Sequence, residues 1–493
     1  MIRKLTLLAF LFIFLSSKAE FVFNDNCKKA YGFIVDFNFE QGKKLVEEEK
    51  KRNPQNAVPY LLDNYIDYFQ CFVTERQDLF DAWKDNIDKR IDRFQADKPN
   101  SPWYLFCQAQ TYLQLAFVRF KFREYTGGAY DIHKAYKMLK RNEALYPAFK
   151  LNLMGLGVLH AIVGTVPEDY KWLASLVGME GSIKQGTNEL QNLINSCKGS
   201  EYEFALPEAC VLKALLNVYL EKDYDSAEKA MAFAHQNYRS AYNPLMGFIH
   251  CTILLHTGRN EEALKLLRKR SEYPSLYPIP YMDYLEGLAM LNKLDPECRN
   301  YFTTYLEEFK GTSFIKASYQ KLAWYALLTG NTGEYDKLML NCKNQGQAII
   351  DEDKQALNEA TSHEKPNLFL LRARLFYDGG YYSKALTELT QHGMDQFPRL
   401  RDKIEFTYRL ARIYQKMGQI TEAIALYETT LKNGEKLSFH FAANSALELG
   451  YIYEKKDAVK AELFFKRCLK MRNHEYQNGI DQKAKAGLSR LSK

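Results

Sequence analysis

Histidine and cysteine side chains are the first candidates for catalysis or metal binding in this sequence. The chain has nine of each, but it contains neither His-Glu-x-x-His nor a Cys/His cluster at zinc spacing. It also lacks a Gly-x-Ser-x-Gly segment, and its glycines lack the Lys-Ser/Thr ending of a phosphate-binding loop. The sequence therefore predicts no catalytic residue, no metal site and no cofactor.

Tyrosine and arginine residues in the C-terminal half indicate a different chemistry, the recognition of another protein. These residue types concentrate binding energy at interfaces, and here they fall on the expected outward positions of helices. The candidate contacts are Arg374, Tyr377, Tyr408, Arg412, Gln415, Tyr451 and Glu454. The alternative stays open that they form an ordinary solvated helix face, which carries the same residue types.

The helices that must position these candidates are clearest between residues 406 and 431. There, Ala411 lies one turn before Tyr414, and after a glycine Ala423 lies one turn before Tyr427. Small residues allow two helices to approach closely, and the tyrosines fill the space beside the crossing. This is the pattern of a tetratricopeptide helical hairpin, which needs neighbouring hairpins to cover its remaining apolar surface.

The same pattern recurs at intervals of 36 to 39 residues, with one longer interval of 50. We therefore predict an all-α protein whose part from about 204 to 470 is a tetratricopeptide-like right-handed α-solenoid of seven stacked antiparallel hairpins. The long interval carries a polar helix at 351–360, either inserted or mobile, and a capping helix follows residue 469. The first-helix small positions are Ala214, Cys251, Gly287, Ala323, Ala373, Ala411 and Gly450, and the second-helix positions are Ala227, Ala263, Arg299, Tyr335, Ala385, Ala423 and Ala461.

The N-terminal half is also predicted to be helical, with a helical pair at 26–53 and longer helices that follow it. Their expected bounds are 57–74, 76–95, 102–124 and 128–145, separated by Pro99, Gly127-Gly128 and Pro147. The glycine-rich segment 151–193 interrupts this rhythm. Its apolar run, 151–166, is short for a membrane span, so a buried helix is favoured over a re-entrant membrane hairpin, with His160 as a hydrogen-bonded core residue.

The glycine-rich segment carries a resemblance to a known family. The order Gly155-x-Gly157, Leu159-His160, Pro167, Trp172-Leu173, Gly178, Gly181 and Gly186-x-x-x-Leu190 resembles that of the eukaryotic inclusion-body-clearance and outer-mitochondrial-membrane tetratricopeptide family. Helical hairpins on both sides are shared. The resemblance implies a non-enzymatic protein that is peripheral to membranes or lipid droplets. The sequence of the first nineteen residues, however, does not fit such an intracellular role.

The first nineteen residues have the pattern of a secretory signal peptide. Arg3 and Lys4 precede an apolar run of eleven residues, 5–15, and Ser17 and Ala19 supply small residues at a cleavage site. Removal of this segment lowers the formal charge from +7 to +4, which is nearly balanced and does not indicate a nucleic-acid partner. The nine scattered cysteines form no disulfide framework, although one or two disulfides remain open.

The sequence thus predicts a signal peptide at 1–19, an N-terminal helical domain at 20–200 and a repeat solenoid with a capping helix at 201–493. The favoured function is a non-enzymatic scaffold of the bacterial cell envelope, exported and periplasmic or outer-membrane-associated, which binds a protein or peptide in its concave trough. One alternative is a peripheral membrane or outer-membrane-associated assembly factor. Another is a hydrolase whose site only folding assembles.

Overall fold

A computed structural model of the protein describes residues 20–96, 100–164, 179–238, 242–362 and 364–491. Across these ranges the regular structure is helical, with one isolated β-bridge between Glu20 and Asn56. The predicted all-α class is therefore confirmed, whereas the predicted signal peptide lies outside the described residues. The chain forms two compact units, the first from residues 1–250 and 270–279, the second from residues 251–269 and 280–493.

The first unit contains ten α-helices in its described part and the start of an eleventh, which the boundary at residue 250 divides. Short 3₁₀ turns lie at Glu203–Ala205 and Arg270–Glu272, and a π-helical turn at Asn217–Glu221. The α-helices are α1 (Asp25–Val35), α2 (Phe39–Arg52), α3 (Val58–Thr74), α4 (Gln77–Gln95), α5 (Pro102–Lys121), α6 (Tyr125–Leu145), α7 (Asn152–Val163), α8 (Ile183–Cys197), α9 (Leu206–Leu216), α10 (Tyr224–Asn237) and α11 (Pro244–His256).

The helices predicted for the N-terminal half are present, with one corrected boundary. The sequence placed the break between α5 and α6 at Gly127-Gly128, but α6 already begins at Tyr125. The turn is made instead at Arg123, whose φ is 64°. Gly128 lies inside α6. A Cβ at this position would come within 2.9 Å of the Phe120 ring, so a larger residue would not fit. The glycine is needed for close helix packing and not for a turn.

The glycine-rich segment forms two helices, α7 and α8, that cross in close contact. A Cβ on Gly186 would lie 2.1 Å from the carbonyl oxygen of Gly157, so only glycine fits at position 186 in this crossing. Most of α7 is buried, as predicted for a core helix. His160 is also a core residue, and its Nδ1 lies 2.6 Å from the Glu189 carboxylate. Of the residues that carry the family resemblance, Pro167, Trp172, Leu173 and Gly178 lie outside the described residues.

The second unit contains the end of α11 and the remaining helices. They pair as antiparallel hairpins, with a short 3₁₀ turn at Met394–Gln396. The helices are α12 (Asn260–Lys269), α13 (Tyr281–Asn292), α14 (Cys298–Glu308), α15 (Ile315–Leu328), α16 (Thr332–Asn344), α17 (Asp351–Ser362), α18 (Leu368–Asp378), α19 (Tyr382–Thr390), α20 (Leu400–Lys416), α21 (Ile420–Gly434), α22 (His440–Glu454), α23 (Ala458–Lys470) and α24 (Gln477–Leu491).

The repeat register explains how these hairpins pack, and also how α9 packs against α10 in the first unit. The seven first-helix small positions are all buried, as are six of the seven second-helix positions. At Gly450 a Cβ would lie 2.4 Å from the Phe465 ring, so the absent side chain makes room for the aromatic residue of the second helix. The register was wrong at Arg299, which is exposed. Its neighbour Cys298 is fully buried and takes the small position there.

The 50-residue interval contains the helix α17, which is inserted and well packed. Asp353 is buried, and its carboxylate accepts hydrogen bonds from the backbone N–H groups of Phe314 (2.8 Å) and Ala317 (2.9 Å). It thereby caps the N-terminus of α15, where unsatisfied backbone donors favour an anion. The segment therefore contains the inserted helix that the sequence predicted, and α17 supplies a cap that α15 lacks in its own sequence.

The C-terminal helix α24 closes the stack as predicted. It packs against α22 and α23, and a Cβ on Gly487 would lie 2.5 Å from the Phe465 ring.

At the other end of the second unit, the turn after α11 meets the turn before α19, where Gly258 and Gly380 both have positive φ. Asn260 donates a hydrogen bond to the Tyr381 hydroxyl (3.0 Å), so these two hairpins are joined by polar contacts.

Candidate binding face

Successive first helices of the second unit contact one another through a row of cationic and aromatic side chains. We call this row the inner face and define it by Lys321 and Trp324 of α15, Arg374 and Tyr377 of α18, and Arg412 of α20. Trp324, Arg374 and Arg412 each follow the small reference residue of their repeat directly, at Ala323, Ala373 and Ala411. The repeat register therefore places all three on the same side of the stack.

Arg412 lies between two tyrosine rings. Its guanidinium carbon is 4.1 Å from the ring centroid of Tyr377 and 5.7 Å from that of Tyr408. Burial favours the neutral form, but the two tyrosines and the nearby Asp378 hold the pKa of Arg412 above its usual range. No residue in the described part of the chain accepts a hydrogen bond from this guanidinium. Its charge is stabilised by ring faces, and its N–H donors are unused.

Arg374 and Lys321 share one indole ring. The Arg374 guanidinium carbon is 4.7 Å from the Trp324 ring centroid, and the Lys321 ammonium is 3.7 Å from it. The Trp324 N–H donates to Glu359 of α17 at 2.7 Å, which fixes the orientation of the ring. Arg374 also lies 3.7 Å from the Asp378 carboxylate. The inserted helix thus positions the aromatic platform on which both cations lie.

Other predicted contact residues are used within the protein. Tyr408 was expected to project outward, but it is buried, and its ring packs 5.5 Å from that of Phe441 in the next hairpin. Gln415 was expected to be exposed, but it is half-buried. It donates to Glu448 at 3.1 Å and accepts the Tyr427 hydroxyl at 2.5 Å. Phe441 and Glu448 belong to the next hairpin, which contacts both positions, whereas Tyr427 lies on the second helix of the same hairpin as Gln415.

The last two candidates contact the capping helix. Arg490 of α24 donates to Glu454 at 2.9 Å, and its guanidinium carbon lies 5.7 Å from the Tyr451 ring centroid. The Tyr451 ring also contacts Phe465 of the same hairpin. Of the seven predicted residues, the structure therefore brings Arg374, Tyr377 and Arg412 together with available polar groups, and it uses the other four in packing or internal hydrogen bonds.

Lys321 and Trp324 were missed by the sequence reasoning, although the register could have found them. Trp324 occupies the position of Arg374 and Arg412 in its own repeat, and Lys321 occupies that of Arg409. Arg409 is paired with Glu405 through a 2.7 Å hydrogen bond from its Nε. Burial disfavours the charged carboxylate, yet Arg409 keeps the pKa of Glu405 below its usual range. Lys321 lacks such a partner.

A second ionic cluster joins the turn after α23 to the first helices. Glu475 accepts hydrogen bonds from Arg401 of α20 (2.8 Å) and from Nδ1 of His440 of α22 (2.6 Å). Burial raises the pKa of Glu475, but these two donors outweigh it and lower the pKa to about 2. Every member of this cluster has a partner, so we assign it to the attachment of the C-terminal end.

Two features of the described residues bear on the metal-site and membrane alternatives raised by the sequence. Within the ranges that the structure covers, no three His, Cys, Asp or Glu side chains are grouped so that they could hold a metal ion. No described helix combines the length and apolar character needed to cross a bilayer.

Comparison with known proteins supports the repeat assignment in the C-terminal hairpins. Residues 404–474 match the family model described as tetratricopeptide repeat. No curated protein matches the sequence significantly.

Solved structures that are similar include a monomeric mutant of IFIT1 with Gppp-AAAA, which is 14% identical over 82% of this chain and 85% of that chain, with a TM-score of 0.30. The yeast Tom70 crystal structure is 15% identical over 88% of this chain and 96% of that chain, with a TM-score of 0.26. TM-scores this low carry no information about function. What the family match establishes is that the chain has tetratricopeptide repeats in its C-terminal part, covering the helices α20 to α23.

Proposed function

We propose that this protein is a non-enzymatic scaffold that binds a protein partner on the inner face of its second unit. The observation that carries the proposal is the stacked Arg412, because a half-buried guanidinium with unused donors is a prepared binding group. Stacked hairpins present such groups along one extended surface, which suits a peptide segment of a partner.

We further propose that the protein acts after export, in the bacterial cell envelope, either in the periplasm or in association with the outer membrane. The support is the charged, apolar and small-residue order of the first nineteen residues. N-terminal sequencing of protein from the native host is expected to begin at Glu20. An intact N-terminus in a cytosolic fraction would contradict export and restore an intracellular role.

Affinity capture with matched variants tests the binding face. The native chain, from Glu20 onward, is compared with Arg374→Ala/Arg412→Ala, which removes the two stacked cations. The control is Arg299→Ala/Arg467→Ala, which removes the same charge from second helices, where Arg299 is exposed, Arg467 is half-buried and both are paired with glutamates. Quantitative mass spectrometry of envelope proteins is the measurement.

A partner that the native chain and the control retain, and that the inner-face variant loses, is the expected result. Equal retention by all three chains would show that the inner face is not the binding surface. Recovery of the native chain only with detergent-extracted membranes, independent of either variant, would favour the peripheral membrane assembly factor instead.

A further inference from the structure

We propose that the turn after α11 and the turn before α19 form a latch, which holds two distant hairpins of the second unit together and couples their closure to the inner face. The latch is defined by Gly258, Asn260, Glu261, Asn292, Gly380 and Tyr381. The helices α13 to α17 lie between the two hairpins in the chain. This inference rests on the proposed function only for the role of the inner face, to which it adds a means of regulation.

A glycine with positive φ recurs at the same turn position in four hairpins, but only two of these glycines touch. Gly258, Gly330, Gly380 and Gly418 each lie two residues after the end of a first helix, with φ between 75° and 83°. A Cβ on Gly380 would lie 1.7 Å from the Gly258 carbonyl oxygen, whereas no described atom lies within 4 Å of a Cβ at Gly330 or Gly418. The turn conformation explains all four glycines. The contact between Gly258 and Gly380 is an additional feature of this pair.

Polar side chains join the two turns across a long stretch of sequence. Asn260 donates a hydrogen bond to the Tyr381 hydroxyl (3.0 Å), which in turn donates to Glu261 (2.6 Å). Asn292, at the end of α13, donates to the side-chain oxygen of Asn260 (3.3 Å). Asn260 and Tyr381 are 121 residues apart. The latch therefore bypasses the hairpin of α15 and α16, which lies between them in the chain.

The composition of the latch makes it a weak attachment, which suits a contact that opens. The glycines contribute no side chains to it, and the hydrogen bond from Tyr381 to Glu261 is exposed to water. The Oδ1 atom of Asn292 is buried and accepts no hydrogen bond from any described residue. Because an unsatisfied buried acceptor is costly, access of water to this oxygen favours the open state. The closed and open states are therefore close in free energy.

Tyr382 connects the latch to the inner face. A Cβ on Gly258 would come within 2.7 Å of the Tyr382 hydroxyl, so this side chain lies against the latch. Its ring centroid is 5.4 Å from that of Tyr377, and the Tyr377 ring lies 4.1 Å from the Arg412 guanidinium carbon. The closed latch thus positions the ring that holds Arg412. Because coupling between two sites is reciprocal, displacing Tyr377 must also change the closure of the latch.

Distances between two spin labels test the latch in the chain from Glu20 onward, without a partner. Lys265→Cys on α12 and Thr387→Cys on α19 carry the labels at exposed positions. The nine native cysteines are buried, so only the introduced ones react readily. Double electron-electron resonance measures the distribution of distances between the labels. The closed form gives one distance, and open molecules add a longer one.

Variants of the turn glycines distinguish the latch from the turn itself. Gly380→Ala should open the latch, because a methyl group does not fit beside Gly258. Gly418→Ala is the matched control, since it places the same methyl group at the same φ of 81° in an equivalent turn that makes no such contact. The longer distance should dominate in Gly380→Ala and stay at the native level in Gly418→Ala.

A milder variant leaves the backbone of the latch unchanged. Tyr381→Phe keeps the ring and removes the hydroxyl that bonds to Asn260 and Glu261. Loss of these hydrogen bonds should raise the population of the longer distance roughly tenfold. Thermal melting shows that each variant is folded.

The coupling is tested by a change on the inner face that alters no residue of the latch. Tyr377→Leu removes the ring that packs against Tyr382, and it should raise the population of the longer distance. Tyr414→Leu is the control, because Tyr414 is a partly buried tyrosine of α20 that packs in the core of the C-terminal hairpins. It should leave the distances at their native values.

Each outcome decides one part of the inference. Native distances in both Gly380→Ala and Tyr381→Phe overturn the latch. Equal opening of Gly380→Ala and Gly418→Ala assigns the effect to strain in the turn and also overturns it. Native distances in Tyr377→Leu overturn the coupling to the inner face. Failure of the native chain to capture a partner contradicts the proposed function, and it does not alter any of these distances.

Discussion

Each of the two compact units holds a charged side chain between two tyrosines, and the two arrangements differ in the part of tyrosine that is used. In the first unit, Glu208 accepts hydrogen bonds from the hydroxyls of Tyr31 and Tyr65. In the second unit, Arg412 lies against the ring faces of Tyr377 and Tyr408. Hydroxyl groups satisfy the carboxylate, whereas ring faces stabilise the guanidinium and leave its N–H groups available.

This difference separates a structural polar site from a candidate binding site. Tyr31 and Tyr65 are buried, and their hydroxyls are directed to a carboxylate more than a hundred residues away in sequence. Removing the acceptor leaves two buried donors without a partner. Removing Arg412 leaves two rings that still pack. The Glu208 side chain therefore contributes to stability as a hydrogen-bonding partner, and the charge at Arg412 is available for a ligand.

The largest expected effect is that of Glu208→Ala on the first unit. Loss of the acceptor for two tyrosine hydroxyls is expected to lower the free energy of unfolding by about 3 kcal/mol. Urea unfolding followed by circular dichroism measures it. Glu201→Ala, which alters an exposed glutamate nearby in sequence, is the control. Equal midpoints for the two variants would show that the hydroxyls find other partners and that Glu208 is not structural.

The packing that holds Tyr408 below Arg412 is tested by overfilling the helix crossing. Ala411 is fully buried, so Ala411→Leu is expected to cost roughly 1 to 3 kcal/mol. Lys416→Leu, at an exposed position of the same helix, should cost almost nothing. Gln415 is unsuitable as this control because it forms two internal hydrogen bonds. If the two leucine variants melt together, the repeat register is wrong.

The titration of Glu208 gives a smaller effect with a defined sign. Burial raises the pKa of Glu208 to about 7, from an ordinary value of 4.5. The folded state therefore holds a proton that the unfolded state releases between these values. The contribution to stability is complete below pH 4.5 and is lost as the pH rises through 7. We expect a change on the order of 1 kcal/mol, which Glu208→Gln should abolish. Urea midpoints measured at several pH values would decide this.

The smallest expected effect on stability is that of Arg412→Ala. A cation–π contact of a partly exposed arginine contributes below about 1 kcal/mol, so the urea midpoint should hardly move. The paired Arg409→Ala is the contrasting variant, because it leaves Glu405 half-buried without its partner. A loss of stability in Arg412→Ala as large as that in Arg409→Ala would show that Arg412 is also a structural cation, and the comparison between the units would fail.

Local spacing was enough to predict the hairpins of the second unit. Small residues such as Ala411 and Ala423, placed one turn before a tyrosine, fix which sides of two helices meet, and this relation holds within about twenty residues. The same reasoning predicted the capping helix and the burial of His160. It failed by one residue at Arg299, because the sequence there offers two adjacent residues. Cys298 is the buried one, and Phe302, one turn later, packs against Gly287.

The orientation of each polar side chain toward solvent or toward a neighbour was decided by the tertiary structure. Tyr408 and Arg412 lie one turn apart on α20, yet Tyr408 is buried because Phe441 of the next hairpin packs against it. Glu208 meets Tyr31 from 177 residues away, and no periodicity of the sequence relates the two. The amino-acid sequence by itself determined the helices and their phase within a hairpin, since those depend on near neighbours. The pairing of charges depends on how separate hairpins stack, and that is a property of the folded chain.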